Sequence, residues 1–489
     1  MSLLKIPAEV SRVTQTLEEK GFSAYLVGGC VRDLLLNQTP KDWDVATDAA
    51  PEQIVAAFPK TFYENQFGTV TVVNEEATDL TLNNIEVTPF RLEGFYTDFR
   101  HPDKVEWGKS IEDDLKRRDF TINALAYSPQ KDKLVDQFKG QDDLKNKVVR
   151  AVGSPDERFQ EDPLRMLRAI RLASQLGFTI ANETAESISR RSQLLANISR
   201  ERIRDEFQKI VMSPEPMVGL VFCHRLALLS QFLPELEEGV HVEQNGEHIY
   251  DVWEHSLRVL QHSAQKEAAL EIRLAALLHD VGKPRTRRWS DEKNDWTFYG
   301  HDVVGARMAK KILERLKFPT KTVEKVTNLV RNHMFFSDTD KITLSAVRRI
   351  IAKVRRENVW DLMAVRMCDR IGMGRPKEET YRLRKYESMI EEALRSPTSV
   401  GMLKINGADV LRETGLAPGP KIGHILHALL EEVLENPDLN EESFLKKRTG
   451  ELAQFGDKEL KKLGESGKEK KEETEEEELA KIRSRFHVK

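Results

Sequence analysis

The chain of 489 residues has few of the features that mark secreted, disulfide-bonded or membrane-embedded proteins. Its three cysteines, Cys30, Cys223 and Cys368, lie far apart and indicate neither a disulfide framework nor a zinc site. The sequence has no apolar run long enough to cross a membrane, and residues 1–7 lack the apolar stretch of a signal peptide. We therefore expect a cytoplasmic protein with no membrane partner.

Aromatic residues are scarce at 7%, whereas charged residues make up 32%, and this balance favours a largely helical protein. The formal net charge is only −4, which neither supports nor excludes nucleic acid as a partner. Binding to nucleic acid requires a local basic face, not a basic total. A chain of this length exceeds a single core, so we expect three or four domains.

A glycine turn near the N-terminus has the features of a phosphate site. Residues 24–27 predict a buried strand, and residues 31–36 predict a short helix. Between them, Gly28 and Gly29 allow a tight turn and a close approach to a ligand, because neither has a Cβ. A helix N-terminus behind two glycines suits an anion.

Two acids follow this turn closely. Asp42 and Asp44 are separated by one residue, and on a strand they would face the same side. Such a carboxylate pair suits Mg²⁺, which also takes oxygens from a phosphate. Residues 67–73 and 84–90 alternate like strands, and Glu86 in the second is a candidate third carboxylate. A solvent-facing strand glutamate remains the alternative for Glu86.

Residues 91–110 lack periodicity and predict a mobile loop, which a basic stretch follows. In that stretch Arg117 and Arg118 precede Asp119 and an apolar element. A planar guanidinium matches phosphate oxygens in pairs, so these arginines suit a triphosphate. Asp119 could accept hydrogen bonds from ribose hydroxyls.

From about residue 155 strand signals are missing, and residues 161–171 predict the start of a long helix. Along it, one acid and three bases recur every third residue: Asp162, Arg165, Arg168 and Arg171. A paired Asp and Arg would accept from the amino group and donate to the ring nitrogen that cytosine and adenine both present. Uracil and guanine would fail both contacts, and a polar site left unpaired rejects a wrong substrate strongly.

Histidines and aspartates form a second constellation between residues 220 and 395. The ordered set is His255, His279, Asp280 and Asp369, with His301 and His333 as further candidates. Imidazole and carboxylate together bind divalent ions, so this set predicts a metal site.

These motifs, in this order, resemble the class II CCA-adding enzymes of the bacterial tRNA nucleotidyltransferase and poly(A) polymerase family, joined to an HD domain. Residues 28–33 read Gly-Gly-Cys-Val-Arg-Asp, residues 117–123 match R-R-D-[FL]-T-x-N, and residues 161–165 match E-D-x-x-R. Residues 201–206 match E-R-x-x-x-E, which we interpret as an ion-paired brace for the selecting helix.

The resemblance implies an α/β nucleotidyltransferase head with a polymerase β-like mixed sheet, followed by a mostly all-α neck, an HD domain and a helical tail. It implies addition of C, C and A to tRNA from CTP and ATP, with Mg²⁺ at Asp42 and Asp44. The implied nucleotide-binding residues are Gly28, Gly29, Arg32, Arg118, Asp119, Asn123, Asp162, Arg165, Arg168 and Arg171. His255, His279, Asp280 and Asp369 would hold Mg²⁺ or a transition metal.

The expected domains are a head over residues 1–150, a neck over 151–220, an HD domain over 221–395, a tRNA-binding tail over 396–455 and a charged, disordered end over 456–489. The alternatives left open are a CC-adding or A-adding specialist, a poly(A) polymerase, and an HD phosphohydrolase acting on nucleotide or RNA phosphates. The sequence decides neither between monomer and homodimer nor whether the HD domain is catalytic.

Overall fold

The computed structural model describes residues 4–64, 68–91, 107–108, 110–246, 248–334, 344–375, 377, 380–395, 400–435, 439–456, 459–460 and 463. Most of the expected loop at 91–110, and nearly all of the expected charged end at 456–489, lie outside these residues. The chain forms two compact units, Met1–Arg331 with Cys368–Arg375, and Asn332–Met367 with Pro376–Lys489. No helix among the described residues is long and apolar enough to cross a membrane.

The first unit begins with a seven-stranded mixed sheet in the order β3-β4-β5-β2-β1-β6-β7. Its strands are β1 (Ala24–Val27), β2 (Trp43–Thr47), β3 (Thr61–Glu64), β4 (Thr69–Val73), β5 (Asn84–Pro89), β6 (Ala126–Ser128) and β7 (Lys133–Val135). The central pair, β2 and β5, is parallel, and the other neighbours are antiparallel. The acids expected to act together therefore come from the middle of the sheet.

Helices surround this sheet and bury its apolar side chains. They are α1 (Ala8–Glu19), α2 (Gly29–Leu35), α3 (Pro51–Ala57), α4 (Ile111–Lys116) and α5 (Gly140–Asn146), with 3₁₀ turns at Leu80–Leu82 and Thr121–Asn123. Val10, Val13 and Leu17 recur on one face of α1 and are buried, as their helical spacing predicts. The expected strand–turn–helix around Gly28 is present as β1 and α2.

A helical segment follows the sheet. It contains β8 (Val148–Val149), α6 (Pro155–Glu161), α7 (Leu164–Leu176), β9 (Thr179–Ile180), α8 (Asn182–Arg191), α9 (Arg200–Val211), α10 (Pro216–Arg225), α11 (Leu229–Phe232) and α12 (Pro234–Glu237), with a 3₁₀ turn at Ser192–Asn197. The segment is mostly helical, as expected, but it contains one short strand without a sequence signal, β9, which pairs with β8. Strands of two residues are too short to show a period.

Asp162 does not lie on the long helix, contrary to the prediction. It is the extended residue between α6 and α7, with φ −140° and ψ 97°. The reason is Pro163, whose ring disfavours the helical conformation of the preceding residue. Arg165, Arg168 and Arg171 do lie on α7.

The rest of the first unit is helical except for one hairpin. Its elements are α13 (Val252–Gln265), α14 (Leu270–Leu278), α15 (Lys283–Thr286), β10 (Arg288–Ser290), β11 (Asp295–Thr297), α16 (His301–Arg315) and α17 (Thr320–Asn332). The residues Val259, Ala276 and Cys368 pack in one buried cluster. This packing joins Cys368–Arg375 to α13 and α14.

The second unit is helical over its described residues. Its elements are α18 (Leu344–Val354), α19 (Val359–Gly372, whose end belongs to the first unit), α20 (Tyr381–Arg395), α21 (Gly407–Thr414), α22 (Pro420–Glu435) and α23 (Glu442–Leu452), with 3₁₀ turns at Arg356–Asn358 and Val400–Met402. The last three helices share a core that includes Val410, Leu429 and Leu445. The segment is therefore helical, as expected for the tail.

Candidate active site

The turn between β1 and α2 requires glycine at its first position. Gly28 has φ +76°, a conformation that L-residues with a side chain rarely adopt. A Cβ there would lie 2.8 Å from Nη1 of Arg118 and 3.7 Å from Oδ2 of Asp44. The turn thus brings the backbone against two of the predicted site residues, and a side chain at Gly28 would require the Arg118 guanidinium to shift.

Carboxylates from two parallel strands meet beside this turn. Asp44 on β2 and Glu86 on β5 are register neighbours, and Asp42 lies exposed just before β2. Burial raises the pKa of Asp44 to about 6; the charge of Arg118 opposes this rise, and the charges of Glu86 and Asp42 add to it. Negative charges that disfavour one another in this way fit a divalent cation, and oxygen donors are those that Mg²⁺ prefers.

Arg118 is held in place by an acid that the sequence reasoning missed. Asp114, on α4, is 1% exposed, and its Oδ2 accepts from Nε and Nη2 of Arg118 at 3.2 and 2.9 Å. Arg117 binds the other oxygen, Oδ1. Burial acts to raise the pKa of Asp114, but the charges of Arg118 and Arg117 outweigh it and hold that pKa below its usual value. The carboxylate therefore stays ionised and fixes both guanidinium groups.

A chain of hydrogen bonds ties α2 to the segment that follows α4. Nη1 of Arg32 donates to Oδ1 of Asn123 at 2.8 Å, and Nδ2 of Asn123 donates to Oδ1 of Asp119 at 3.4 Å. The other oxygen of Asp119 lies 3.8 Å from Nη1 of Arg168. Four residues predicted to bind nucleotide therefore share one network.

The predicted base-reading pair is not paired within itself. Oδ2 of Asp162 accepts from Nη2 of Arg202 at 2.8 Å, and Oδ1 accepts from the backbone N–H of Leu164 at 3.1 Å. Nη1 of Arg165 instead binds Glu161 at 2.5 Å, and its Nη2 donates to the carbonyl of Arg117 at 3.3 Å. Both residues are buried, at 7% and 8% exposure, so these contacts fix their orientation.

The ion pairs of α9 match the interpretation of that helix as a brace. Besides Arg202, which binds Asp162, α9 carries Glu206, whose oxygens lie 3.0 Å from Nε of Arg171 and 3.9 Å from Nε of Arg168. Burial lowers the pKa of Arg171, while the charge of Glu206 opposes that change. The motif predicted an ion-paired brace that contains Arg202 and Glu206, but it did not specify which residue each of them binds.

A second cluster forms where α13 and α14 meet the end of α19. Nε2 of His255 lies 3.1 Å from Nε2 of His279 and 3.2 Å from Oδ1 of Asp369. Oδ2 of Asp280 lies 3.3 and 3.1 Å from the same two nitrogens. All four side chains are buried, and the ligand atoms of His255, His279 and Asp369 lie within 4.8 Å of one another. The four residues that the sequence predicts as metal ligands thus lie side by side, and their binding of a metal stays a prediction.

The charges of this cluster favour a cation. Burial acts to lower the pKa of His279, but the charges and hydrogen bonds of Asp280 and Asp369 outweigh it and raise that pKa to about 10. Two buried carboxylates thus stabilise positive charge between them, as a divalent ion would supply. Nδ1 of His279 faces the carbonyl of Ala276 at 2.8 Å, an outer contact typical of metal-bound histidine.

Two more residues border the cluster. Nε2 of His301 lies 3.5 Å from Oδ1 of Asp280. Lys283, which the sequence reasoning did not select, is buried and lies 2.6 Å from Oδ2 of the same aspartate. Its place within the motif His-Asp-Val-Gly-Lys was the available signal. His333 belongs to the second unit, so this cluster is that of the first unit alone.

Comparison with known proteins identifies the parts of the chain. Residues 24–150 match the model of the poly A polymerase head domain, and residues 252–379 match that of the HD domain. Residues 177–239 match a family described as a probable RNA and SrmB-binding site of polymerase A. A mixed-sheet head of this kind with an HD domain defines the class: the protein is a nucleotidyltransferase.

Curated relatives match along most of the chain. The CCA-adding enzyme of Ligilactobacillus salivarius is 32% identical over 462 residues, covering 91% of this chain and 97% of the relative. The CC-adding tRNA nucleotidyltransferase of Thermus thermophilus is 35% identical, covering 84% and 90%, and the A-adding tRNA nucleotidyltransferase of Deinococcus radiodurans is 34% identical, covering 83% and 91%.

A solved structure agrees with these relatives. It is the Bacillus stearothermophilus CCA-adding enzyme in complex with CTP, with a TM-score of 0.63, 28% identity, and coverage of 91% of this chain and 96% of that one. The chain belongs to the CCA-adding enzyme family of tRNA nucleotidyltransferases. The expected fold class of mixed-sheet head, helical neck and HD domain is confirmed.

Proposed function

We propose that the chain adds C, C and A to the 3′ ends of tRNA, using CTP and ATP and releasing pyrophosphate. The observation that carries this proposal is the convergence at one turn of Gly28, Arg118 and Asp44, with Glu86 beside Asp44. A phosphate-binding turn next to paired acids suits transfer of a nucleotidyl group. Family membership supplies the tRNA and the two nucleotides.

In the reaction, the 3′-hydroxyl of the tRNA attacks the α-phosphate of the nucleotide, and pyrophosphate leaves. Asp42 and Asp44, with Glu86 as a third candidate, would hold Mg²⁺. The ion when bound lowers the pKa of the attacking hydroxyl and offsets charge on the phosphate oxygens. Arg118, fixed by Asp114 at 2.9 Å, would bind the triphosphate. The backbone at Gly28 and Gly29 would approach the same phosphates.

The ribose and phosphates would contact the network beside this turn. Asp119 has carboxylate oxygens suited to ribose hydroxyls, and Asn123 joins it to Arg32. Arg168 and Arg171 lie on the face of α7 that Glu206 holds, so they would present their remaining charge to the nucleotide.

Base choice would rest on Asp162 and Arg165. A carboxylate accepts about four hydrogen bonds, and Asp162 gives one position to Arg202 and one to Leu164, so capacity remains for the amino group of cytosine or adenine. Arg165 would donate to the adjacent ring nitrogen. Because Arg202 fixes the carboxylate, the template would be oriented before the nucleotide arrives.

The test supplies tRNAs that end before the first C, after one C and after two C, each with one nucleoside triphosphate at a time. We expect CTP to extend the first two tRNAs and ATP only the third, by one residue. Extension by CTP alone would identify a CC-adding specialist, ATP addition alone an A-adding one, and long A tracts a poly(A) polymerase. Asp42→Ala and Asp44→Ala should abolish every product, and product from a folded variant would contradict the metal assignment.

We also propose that the second cluster is a divalent-metal phosphohydrolase site, because His255, His279, Asp280 and Asp369 converge in one buried cluster. The test is hydrolysis of p-nitrophenyl phosphate and of a 2′,3′-cyclic nucleotide with Mg²⁺, Mn²⁺, Ni²⁺ or Co²⁺. Activity that disappears when His279 and Asp280 are both replaced by Ala supports the proposal. A wild type inactive with all four ions contradicts it and leaves the cluster structural.

A further inference from the structure

A two-stranded hairpin interrupts the chain between two residues of the histidine–aspartate cluster. It consists of β10 and β11 and lies between Asp280 and His301 in sequence. Both of its ends are fixed at the cluster: Lys283 binds Oδ2 of Asp280, and Nδ1 of His301 lies 2.7 Å from the carbonyl of Phe298. The base of the hairpin therefore borders the cluster.

The hairpin and the residues just after it expose aromatic rings. Trp289 and Trp296 face each other across the strands with ring centroids 5.2 Å apart, which helps to stabilise an otherwise weak two-stranded sheet. Even so, Trp289 is 50% exposed. Tyr299, beyond the strands, is 75% exposed, and Lys293 donates to its hydroxyl at 2.7 Å. Two exposed aromatic rings, one on the hairpin and one just after it, thus precede His301 in the chain.

Basic side chains outnumber acids in and around the same hairpin. Residues 283–299 contain five basic and three acidic residues in a chain whose net charge is −4. The guanidinium of Arg287 covers the ring of Trp296 at 3.7 Å, and Arg288 beside it is exposed. Asp291, Glu292 and Lys293 share the turn. Because Arg285 pairs with Glu238 and Arg287 with Glu243, Arg288 is the basic residue of β10 that is exposed beside Trp289.

We infer that the hairpin binds the single-stranded 3′ end of an RNA, with bases stacked on Trp289 and Tyr299 and phosphates near Arg288. Exposed rings interleaved with basic residues are the surface that single-stranded nucleic acid selects, because every base has a face that can stack. The hairpin would direct the terminal phosphate of the RNA toward the cluster. This second part rests on the phosphohydrolase function proposed above.

Photo-crosslinking tests the binding on the full chain. An RNA hexamer with 4-thiouridine at its 3′ end is irradiated with the protein in the presence of a chelator, and the crosslinked peptide is identified. We expect a crosslink within residues 285–300 whose yield falls with rising salt. Tyr299→Ala should lower the apparent affinity by about fivefold to a hundredfold, the range for losing one stacked base. Arg288→Glu should lower it as well.

Two matched variants serve as controls. Phe62→Ala removes a ring that is 62% exposed on the head, and Lys310→Glu changes an exposed charge on α16. Both should leave the crosslink unchanged. Trp289→Phe keeps a ring opposite Trp296 and with it the hairpin. A lower crosslink yield in this variant therefore reflects weaker RNA binding and not loss of the hairpin. Absence of a crosslink in residues 285–300, or an equal yield from Tyr299→Ala and wild type, would overturn the inference.

The two proposals fail separately. Hydrolysis of p-nitrophenyl phosphate, which has no base to stack, reports the cluster without the hairpin. A crosslink to the hairpin in a protein that hydrolyses no phosphate ester supports RNA binding and removes the phosphohydrolase. Hydrolysis without a crosslink in that segment removes the hairpin's role and keeps the cluster.

Discussion

The turn at Gly28 offers the sharpest test of the head site. In Gly28→Ala the new methyl group would lie 2.8 Å from Nη1 of Arg118, closer than Cβ atoms come to such neighbours. Arg118 cannot simply move aside, because Asp114 holds it through two hydrogen bonds at 2.9 and 3.2 Å. The substitution therefore displaces the guanidinium that we propose to bind the triphosphate.

Two separate costs are expected. Holding alanine at φ +76° costs about 1–3 kcal/mol of unfolding free energy, the usual range for a side chain in a sparsely populated backbone region. Losing a hydrogen bond from a charged group to the nucleotide costs about 1.5–3 kcal/mol of binding free energy. The second cost corresponds to roughly a tenfold to hundredfold fall in kcat/KM for CTP.

Gly21→Ala is the matched control. Gly21 has φ +89°, but a Cβ there meets nothing within 4 Å, so this variant has the backbone cost without the contact. Urea unfolding should show both variants destabilised, whereas CTP incorporation should fall only in Gly28→Ala. Gly29→Ala, whose Cβ would lie 3.6 Å from Nη2 of Arg32, should fold normally. Equal kcat/KM values for Gly28→Ala and Gly21→Ala would refute the placement of Arg118 against the turn.

Ion pairs and ligands elsewhere in the first unit give three more expectations. Arg202→Ala should raise misincorporation of UTP and GTP about tenfold relative to CTP, because Asp162 loses its 2.8 Å partner; kcat/KM for the four nucleotides measures this. Wild type should have a higher free energy of unfolding than Asp114→Asn, and this difference should be full above about pH 4. It should shrink as the pH falls through the lowered native pKa of Asp114, because protonation then removes the ion pairs; urea unfolding from pH 7 to 3 measures it. Replacing His279 and Asp280 by Ala should remove the Mn²⁺ binding of the second cluster in calorimetry, leave that of the head site, and spare nucleotide addition. Loss of addition by a folded variant would contradict independent sites.

Much of the head could be predicted because its signals are local. The apolar run at residues 24–27 followed by two glycines predicted β1, the turn and the start of α2, all of which the structure contains. The alternation at residues 84–90 predicted β5, and Glu86 does lie beside Asp44. Its role in catalysis stays a prediction. The alternation of apolar residues along a strand and the placement of glycine in a turn involve residues that are adjacent in the chain. Both patterns are therefore visible in a single sequence.

Errors and omissions arise mainly where contacts between distant segments, or very short elements, determine the structure. The pattern of residues 161–171 predicts one continuous helix, yet Pro163 holds Asp162 extended outside α7. Asp114 lies only four residues before Arg118, a spacing at which helical neighbours pair, so this omission had a local signal. The contact between Arg202 and Asp162 spans forty residues, and no local spacing shows it. The hairpin strands span three residues each, too few for a period to be visible.

The buried ion pairs of the head are better explained by positioning than by stability. Removing charges from water offsets much of their mutual attraction, so a buried pair contributes little net free energy, whereas a single buried charge left without its partner is costly. Asp114 therefore confines Arg118 to one orientation, since any alternative leaves a carboxylate of 1% exposure with fewer partners. The same reasoning applies to Asp162, whose carboxylate accepts a hydrogen bond from Arg202.

Arginine and aspartate side chains that are ordered in the folded chain lose little further freedom when a nucleotide binds. This lowers the entropic cost of binding in the required geometry. Variants of Asp114 and Arg202 should accordingly change nucleotide selection and turnover more than their effect on unfolding would suggest.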